Sequence, residues 1–135
     1  MKFFVFITSF ILLTSLKESC KNKKEKTTTS ITSGCYKGKL EVKGGCMNYT
    51  IGIISQDFDT SLVVANWTNE ASGKLYKNVF ALNSRCSFPN TINEGDEFYF
   101  MIDNTTVQNC IVCLMYYPVP PKKLSIKIIP GPCQP

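Results

Sequence analysis

Seven cysteines in a chain of 135 residues constrain this sequence more than any other feature. In an oxidising compartment, so many cysteines in a short chain are typical of a disulfide-stapled domain, whereas in the cytosol they favour a metal site. The chain contains no histidine, which excludes Ser-His-Asp and Cys-His catalysis and histidine-ligated metals. The cysteines are Cys20, Cys35, Cys46, Cys86, Cys110, Cys113 and Cys133.

The N-terminus predicts secretion. Lys2 precedes an apolar run over residues 3–13. This run is shorter than the roughly 20 residues that span a bilayer, but it has the length of a secretory h-region. Cleavage after Ser15 and cleavage after Ser19 are the two alternatives for removal of the signal. We assign residues 1–19 to the signal peptide. We therefore expect a secreted, extracellular protein without a membrane span, whose cysteines form disulfides.

Cys110 and Cys113 form a Cys-x-x-Cys motif, which in isolation indicates a metal or redox site. The surrounding residues 107–117 are apolar, β-branched and aromatic, which predicts a strand. Residues three apart in a strand face opposite sides, so we expect these two cysteines to bond to different partners. Because seven is odd, one cysteine is free, pairs between chains, or is Cys20 removed with the signal.

Residues 20–34 form a basic, Thr-rich segment without apolar periodicity, which predicts a flexible arm. This arm is either a solvated tail or a segment that contacts a heparin-like polyanion. No aromatic residues interleave with its lysines, so nucleic-acid binding is not expected. The lysines available for a polyanion are Lys21, Lys23, Lys24 and Lys26.

Residues 35–135 predict a single β domain. Short segments with two-residue alternation recur about every ten residues, between turns rich in Gly, Asn and Pro. This spacing indicates an all-β fold, either a small antiparallel barrel of the OB kind or a sandwich, stapled by disulfides. Residues 68–77 are the one helix candidate. Alternation places Phe98, Phe100 and Ile102 on one face of the segment 97–103, and Leu124, Ile126 and Ile128 on one face of 123–129. The predicted strands cover 36–42, 49–54, 61–67, 74–82, 97–103, 107–117 and 123–129.

Polar motifs add two hypotheses. Asn48, Asn66 and Asn104 begin glycosylation sequons, each near a predicted strand end or turn where a glycan can reach solvent. The acidic residues around Gly95 match no calcium loop, and we interpret them as a solvated turn. Paired carboxylates for acid–base chemistry are the alternative. These acidic residues are Glu94, Asp96 and Glu97.

Residues 78–103 resemble the middle of a netrin-type module, the fold shared by tissue inhibitors of metalloproteinases. Cys86, Gly95 and the aromatic run 98–101 carry this resemblance, and Cys133 fits the terminal cysteine of the family. The inhibitors ligate the protease zinc through a mature N-terminal Cys-x-Cys, but Cys20 is followed by Lys-Asn. Tight inhibition of matrix metalloproteinases by that route is therefore not expected. A lipid-binding sandwich is the competing resemblance.

No nucleophile and base can be paired, so we expect a protein that is not an enzyme and has no cofactor. The favoured function is that of a secreted, disulfide-bonded glycoprotein that binds another extracellular protein, as an inhibitor or in another binding role. The alternative is a secreted carrier of a small molecule or lipid, with an apolar pocket inside the barrel or sandwich.

Overall fold

The computed structural model describes residues 34–105, 107–111 and 113–133. The predicted signal peptide, most of the basic arm with its four lysines, and Cys20 lie outside the described residues. Within them, no helix is long and apolar enough to cross a membrane.

The described residues form seven strands in one sheet and no α-helix. Along the sheet the order is β3-β4-β2-β1-β5-β7, with β6 paired to β4. All pairings are antiparallel except that of β4 with β6. The strands are β1 (Cys35–Gly44), β2 (Asn48–Ile53), β3 (Val64–Thr68), β4 (Leu75–Leu82), β5 (Glu97–Ile102), β6 (Lys123–Leu124) and β7 (Ile126–Ile129). The all-β, disulfide-stapled fold class is thereby confirmed.

The last two strands connect distant parts of the sheet. β6 pairs with β4 and β7 pairs with β5, and Ser125 alone separates them. In a flat sheet β4 and β5 would lie about 14 Å apart, because three strand spacings separate them. One short segment pairs with both, so the sheet curves around its apolar face. Closure of this curved sheet into a barrel stays a prediction.

Aromatic rings from both ends of the sheet fill the concave side. Phe100 on β5 is fully buried, and its ring lies about 6 Å from the rings of Phe80, Phe98 and Tyr36. The two-residue alternation predicted this, since Phe98, Phe100 and Ile102 all pack on the core. The remaining fully buried large side chains of this cluster are Leu40, Ile51, Leu82 and Ile126.

A bulge in β1 places Leu40 and Val42, which are two positions apart, in different apolar clusters. Leu40 pairs with Ile51, but Val42 pairs with Thr50, so the register shifts at Glu41. An extra residue in one strand reverses the side to which the following side chains point. Leu40 consequently joins the main core, whereas Val42 packs in a second cluster. The second cluster contains Val42, Tyr76 and Val79, with Trp67 and Tyr117 packed against it.

The helix candidate at 68–77 is wrong, because Thr68 ends β3, residues 69–74 form a turn and residues 75–77 begin β4. Asn69 is buried, and its side-chain oxygen accepts a hydrogen bond from the Ala71 backbone at 2.8 Å. Gly73 follows with φ of 69°, which ends the turn. An asparagine that binds its own downstream backbone favours a turn over a helix.

Three disulfides join the six described cysteines: Cys35–Cys133, Cys46–Cys113 and Cys86–Cys110. The Cys35–Cys133 bond links the start of β1 to the segment after β7, across 98 residues. In the chain-entropy account, closing a loop of that size restricts the unfolded chain by roughly 4–5 kcal/mol. The three disulfides are consistent with an extracellular protein.

Phe100→Ala should destabilise the domain by about 3–5 kcal/mol, because truncating a buried ring leaves a cavity in the core. Tyr99→Ala is the matched control: it changes the neighbouring residue of β5, whose side chain lies outside the core cluster. Urea unfolding should show less than half the loss for the control. Equal losses would contradict the placement of the core.

Candidate functional site

The predicted strand over residues 107–117 is wrong, since the described residues of this segment form no strand. Two disulfides tie the segment to separate turns instead. Cys110 is bonded to Cys86, in the turn after β4, and Cys113 is bonded to Cys46, in the turn between β1 and β2. The expectation that Cys110 and Cys113 have different partners is confirmed, but the reason is this double attachment and not strand geometry.

We call residues 107–117 the apolar loop. Hydrogen bonds reinforce its first attachment: the backbone N–H of Cys86 donates to the Gln108 side chain at 3.1 Å. The backbone N–H of Cys110 in turn donates to the Cys86 sulfur at 3.2 Å. The loop is therefore aligned with the Arg85–Ser87 turn by its backbone as well as by the covalent bond.

The second attachment uses strained backbone in the β1–β2 turn. Cys46 and Met47 both have φ near 60°, a conformation that residues other than glycine adopt at a cost. Asn48 stabilises the turn, because its side-chain nitrogen donates to Gly45 O at 2.9 Å and lies 3.5 Å from Met115 O. This asparagine thus connects the turn to the apolar loop.

The C-terminal end of the loop is fixed by packing. Tyr117 packs against the second cluster, which includes Val42 and Tyr76. Its ring approaches Gly44 so closely that a Cβ there would lie 2.5 Å from a ring carbon. A glycine at this position is therefore required for the tyrosine to reach its place.

Several apolar side chains on the described part of the loop point into solvent. Ile111 is 97% exposed and Leu114 is 102% exposed, and Met115 and Tyr116 are also exposed. The eleven residues of the loop carry no charge. The predicted strand would have placed Met115 and Tyr116 on a face of the sheet, but the described residues of the loop form no strand. Contiguous exposed apolar residues of this kind mark interaction surfaces on soluble proteins.

A shallow depression of about 160 Å³ lies at the base of the loop. It is lined by Ile111, Met47 and the Cys46–Cys113 disulfide. The loop therefore combines exposed side chains with a small concave area beside Ile111. Such a surface can receive one side chain of a partner.

The predicted acidic turn serves the fold. Glu94 accepts a hydrogen bond from the Lys43 backbone at 3.1 Å, and Asp96 accepts one from the Asn93 backbone at 2.8 Å. Glu97 forms an ion pair with Lys37, and its hydrogen bond raises the pKa of that lysine. Within the described ranges no three His, Cys, Asp or Glu residues are grouped to hold a metal ion.

One further carboxylate has a shifted pKa. Hydrogen bonds from the side chain and backbone of Ser61 lower the pKa of Asp59. Asp59 caps the short 3-10 turn Thr60–Leu62 through the Ser61 backbone N–H at 2.9 Å. Its role is thus structural, in the connection between β2 and β3.

The three sequons have different surroundings. Asn66 on β3 and Asn104 after β5 are exposed, as the sequence analysis expected. Asn48 is only 7% exposed, and its side-chain nitrogen is used within the β1–β2 turn. The expectation that the Asn48 amide reaches solvent is therefore wrong. Burial of this residue follows from its attachment to the loop, which local sequence does not reveal.

Comparison of the chain with protein-family models, with characterised proteins and with solved structures finds no match. The resemblance to netrin-type modules stays a prediction. The sequence predicted a strand where the structure has the exposed apolar loop. The lack of charge in this segment and its two cysteines are the signals that the sequence does contain.

Replacing Ile111 and Leu114 together by serine should leave the free energy of unfolding within about 0.5 kcal/mol of wild type, because both side chains are already in solvent. The same variant should lose most of the fluorescence that the dye ANS gains on the folded wild-type protein. A loss of more than about 2 kcal/mol would show that these side chains are packed, and would contradict the exposed loop.

Proposed function

We propose that this protein is a secreted, disulfide-bonded glycoprotein that binds another extracellular protein through the apolar loop. The observation that carries the proposal is the exposure of Ile111, Leu114, Met115 and Tyr116 on a segment held by two disulfides. Burying apolar area on association is favourable by about 25 cal/mol per Å². Exposed side chains of this size are therefore a source of binding energy.

The two disulfides support this proposal through the entropy of binding. A partner that binds a loose loop must order it, at a cost of roughly 1–2 kcal/mol per residue of backbone. Here two disulfides fix Cys110 and Cys113, and Tyr117 is fixed by packing. Preorganisation of this kind increases affinity without additional contacts.

The chemistry of the loop defines the kind of partner. With no charged residue between 107 and 117, electrostatic attraction contributes little to its affinity, which should depend weakly on salt. An aromatic residue with a polar tip, such as Tyr116, and adaptable Met115 are residue types enriched at protein interfaces. The complementary surface is an apolar groove or patch on a folded protein.

The carrier alternative has less support. A carrier needs an interior cavity, but Phe80, Phe100 and Leu40 at the centre of the curved sheet are fully buried and belong to one contact cluster. A depression of about 530 Å³ lies instead between β7 and the segment around Pro89. We therefore retain the protein-binding function alone.

The binding proposal is tested by comparing three immobilised proteins: wild type, the Ile111→Ser/Leu114→Ser variant, and Leu75→Ser. Leu75 is the matched control, because it is also an exposed apolar residue and lies at the start of β4. Quantitative mass spectrometry of extracellular proteins retained by each should show a partner kept by wild type and control and reduced at least tenfold by the loop variant. Equal retention by all three would refute the proposal.

Secretion and glycosylation are tested together on protein expressed in eukaryotic cells. We expect N-glycans on Asn66 and Asn104, which are exposed, and none on Asn48, which is buried in the β1–β2 turn. Peptide mass spectrometry of the protein in the medium measures the occupancy of each site. Full occupancy of Asn48 on folded protein, or retention of the chain inside the cell, would contradict this part of the proposal.

A further inference from the structure

The outer edge of β3 is a second feature that points to binding, and it lies at the end of the sheet. Among the described strands, β3 pairs with β4 alone, with Thr68 opposite Leu75. Just beyond β3, the Asn69 backbone N–H donates to Lys74 O at 2.9 Å. This bond fixes the phase of the ladder, because hydrogen-bonded and non-hydrogen-bonded pairs alternate between antiparallel strands.

Two residues of β3 consequently direct their backbone groups away from β4. Trp67 lies two positions before Asn69 and therefore occupies the next hydrogen-bonded position of the ladder. Asn66 and Thr68, on either side of it, face the free edge. In the described part of the chain, no hydrogen bond outside the β3–β4 ladder reaches the N–H or C=O of either residue. Each residue thus offers one donor and one acceptor to a further strand.

The sequence of β3 lacks the side chains that usually protect a free edge. Its five residues, VANWT, include no charged residue and no proline. Val, Trp and Thr are residue types that favour strands. Trp67 is only half-buried, although its ring centroid lies 5.8 Å from that of Tyr76. The edge is therefore suited to pairing with another strand, unless a group added to the chain covers it.

We propose that this edge pairs with the β3 of a second copy of the chain, and that an N-glycan on Asn66 prevents the pairing. The two strands run antiparallel about a two-fold axis at Trp67, which places Asn66 opposite Thr68 of the second copy. Each such pair exchanges both of its backbone hydrogen bonds across the axis. The role of the glycan rests on the proposed glycosylation of Asn66, whereas the pairing of the unglycosylated edge does not.

Self-complementarity of the edge favours a second copy as its occupant. At the axis the two Trp67 side chains lie directly opposite each other in a non-hydrogen-bonded pair, the position where cross-strand side chains are closest. Aromatic pairs are favourable beyond the area that they bury. On the other face, the Asn66 amide lies beside the Thr68 hydroxyl of the second copy, and these two groups can share a hydrogen bond. No like charges meet between the strands, because β3 carries no charge.

A glycan on Asn66 is placed to block this pairing. The sequon Asn66-Trp67-Thr68 consists of the same residues that pair across the axis. The sugar is attached to the amide that faces Thr68 of the second copy, and its bulk excludes the neighbouring strand. Asn104, the other exposed sequon asparagine, follows β5 and is not part of this edge. Glycosylation of Asn66 thus decides between a monomer and a dimer.

Two variants that both lack the Asn66 glycan separate the strand edge from the sugar. Asn66→Gln retains the backbone N–H, whereas Asn66→Pro removes it, and proline is tolerated where the N–H of an edge strand faces solvent. Asn104→Gln is the glycan control, because it removes a sugar that lies after β5. All three are expressed in eukaryotic cells beside wild type, and sedimentation equilibrium measures their self-association. Trp67 gives a second readout, since it is the single tryptophan of the chain.

We expect Asn66→Gln to dimerise as its concentration rises, and Asn66→Pro, with an unchanged circular dichroism spectrum, to associate at least about tenfold more weakly. Wild type and Asn104→Gln, which keep the Asn66 glycan, should remain monomeric over the same range. In Asn66→Gln, the fluorescence of Trp67 should move to shorter wavelength as the dimer forms, because the indoles leave water. Dimerisation should also slow hydrogen exchange of the Thr68 amide at least about tenfold.

The pairing is refuted if Asn66→Gln stays monomeric, if the glutamine and proline variants associate equally, or if the Thr68 amide of Asn66→Gln exchanges at one rate at all concentrations. The last measurement does not need the proline variant. Glycosylated wild type that dimerises as strongly as Asn66→Gln would overturn the role of the glycan. An unoccupied Asn66 on secreted wild type would refute the glycosylation in the proposed function and the role of the glycan together, while the two variants would still decide whether the edge pairs.

Discussion

The Cys46–Cys113 and Cys86–Cys110 disulfides attach the uncharged segment 107–117 to two turns and leave Ile111 and Leu114 exposed. Without them, a segment containing Ile111, Leu114 and Tyr116 would collapse onto apolar surface or pair with other chains, because exposed apolar residues are unstable in water. The covalent bonds make another outcome possible. They fix the segment at two turns, while its side chains remain available to a partner.

The rest of the structure provides the positions for those two bonds. Because of the bulge at Glu41, β1 contributes Leu40 to the main core and Val42 to the second cluster. The second cluster in turn receives Tyr117, which ends the apolar loop. The strained turn at Cys46 then places one sulfur within reach of Cys113. Core packing and the candidate site are therefore linked through β1.

Much of the sheet could be predicted from two-residue alternation, because that pattern directly reflects one buried face. Phe98 and Phe100 on β5 were identified in this way, as was the alternation in the last segment around Ile126. The segment 107–117 has the same β-branched and aromatic composition, yet it forms no described strand. Composition reports the preference of a residue for apolar surroundings, whereas a strand also needs a neighbour with unpaired backbone groups.

Long-range features could not be predicted for a related reason. The Cys46–Cys113 disulfide, the contact of Asn48 with Met115 and the hydrogen bond between Ser84 and Ile126 each join residues more than 40 positions apart. The residues next to each position in the sequence do not indicate which distant residue it contacts. The separation of Cys110 from Cys113 was predicted correctly from a wrong strand, since any arrangement that sends two cysteines to different partners gives the same result.

The most direct test of this account is the rigidity of the apolar loop. Backbone ¹⁵N relaxation of the oxidised domain measures order parameters for the amides of Ile111, Leu114 and Met115. If two disulfides fix the segment, these values should be close to those of rigid backbone, about 0.85. Values below about 0.6 would show a loosely attached loop, and would contradict the claim that the disulfides prepare an apolar surface for binding.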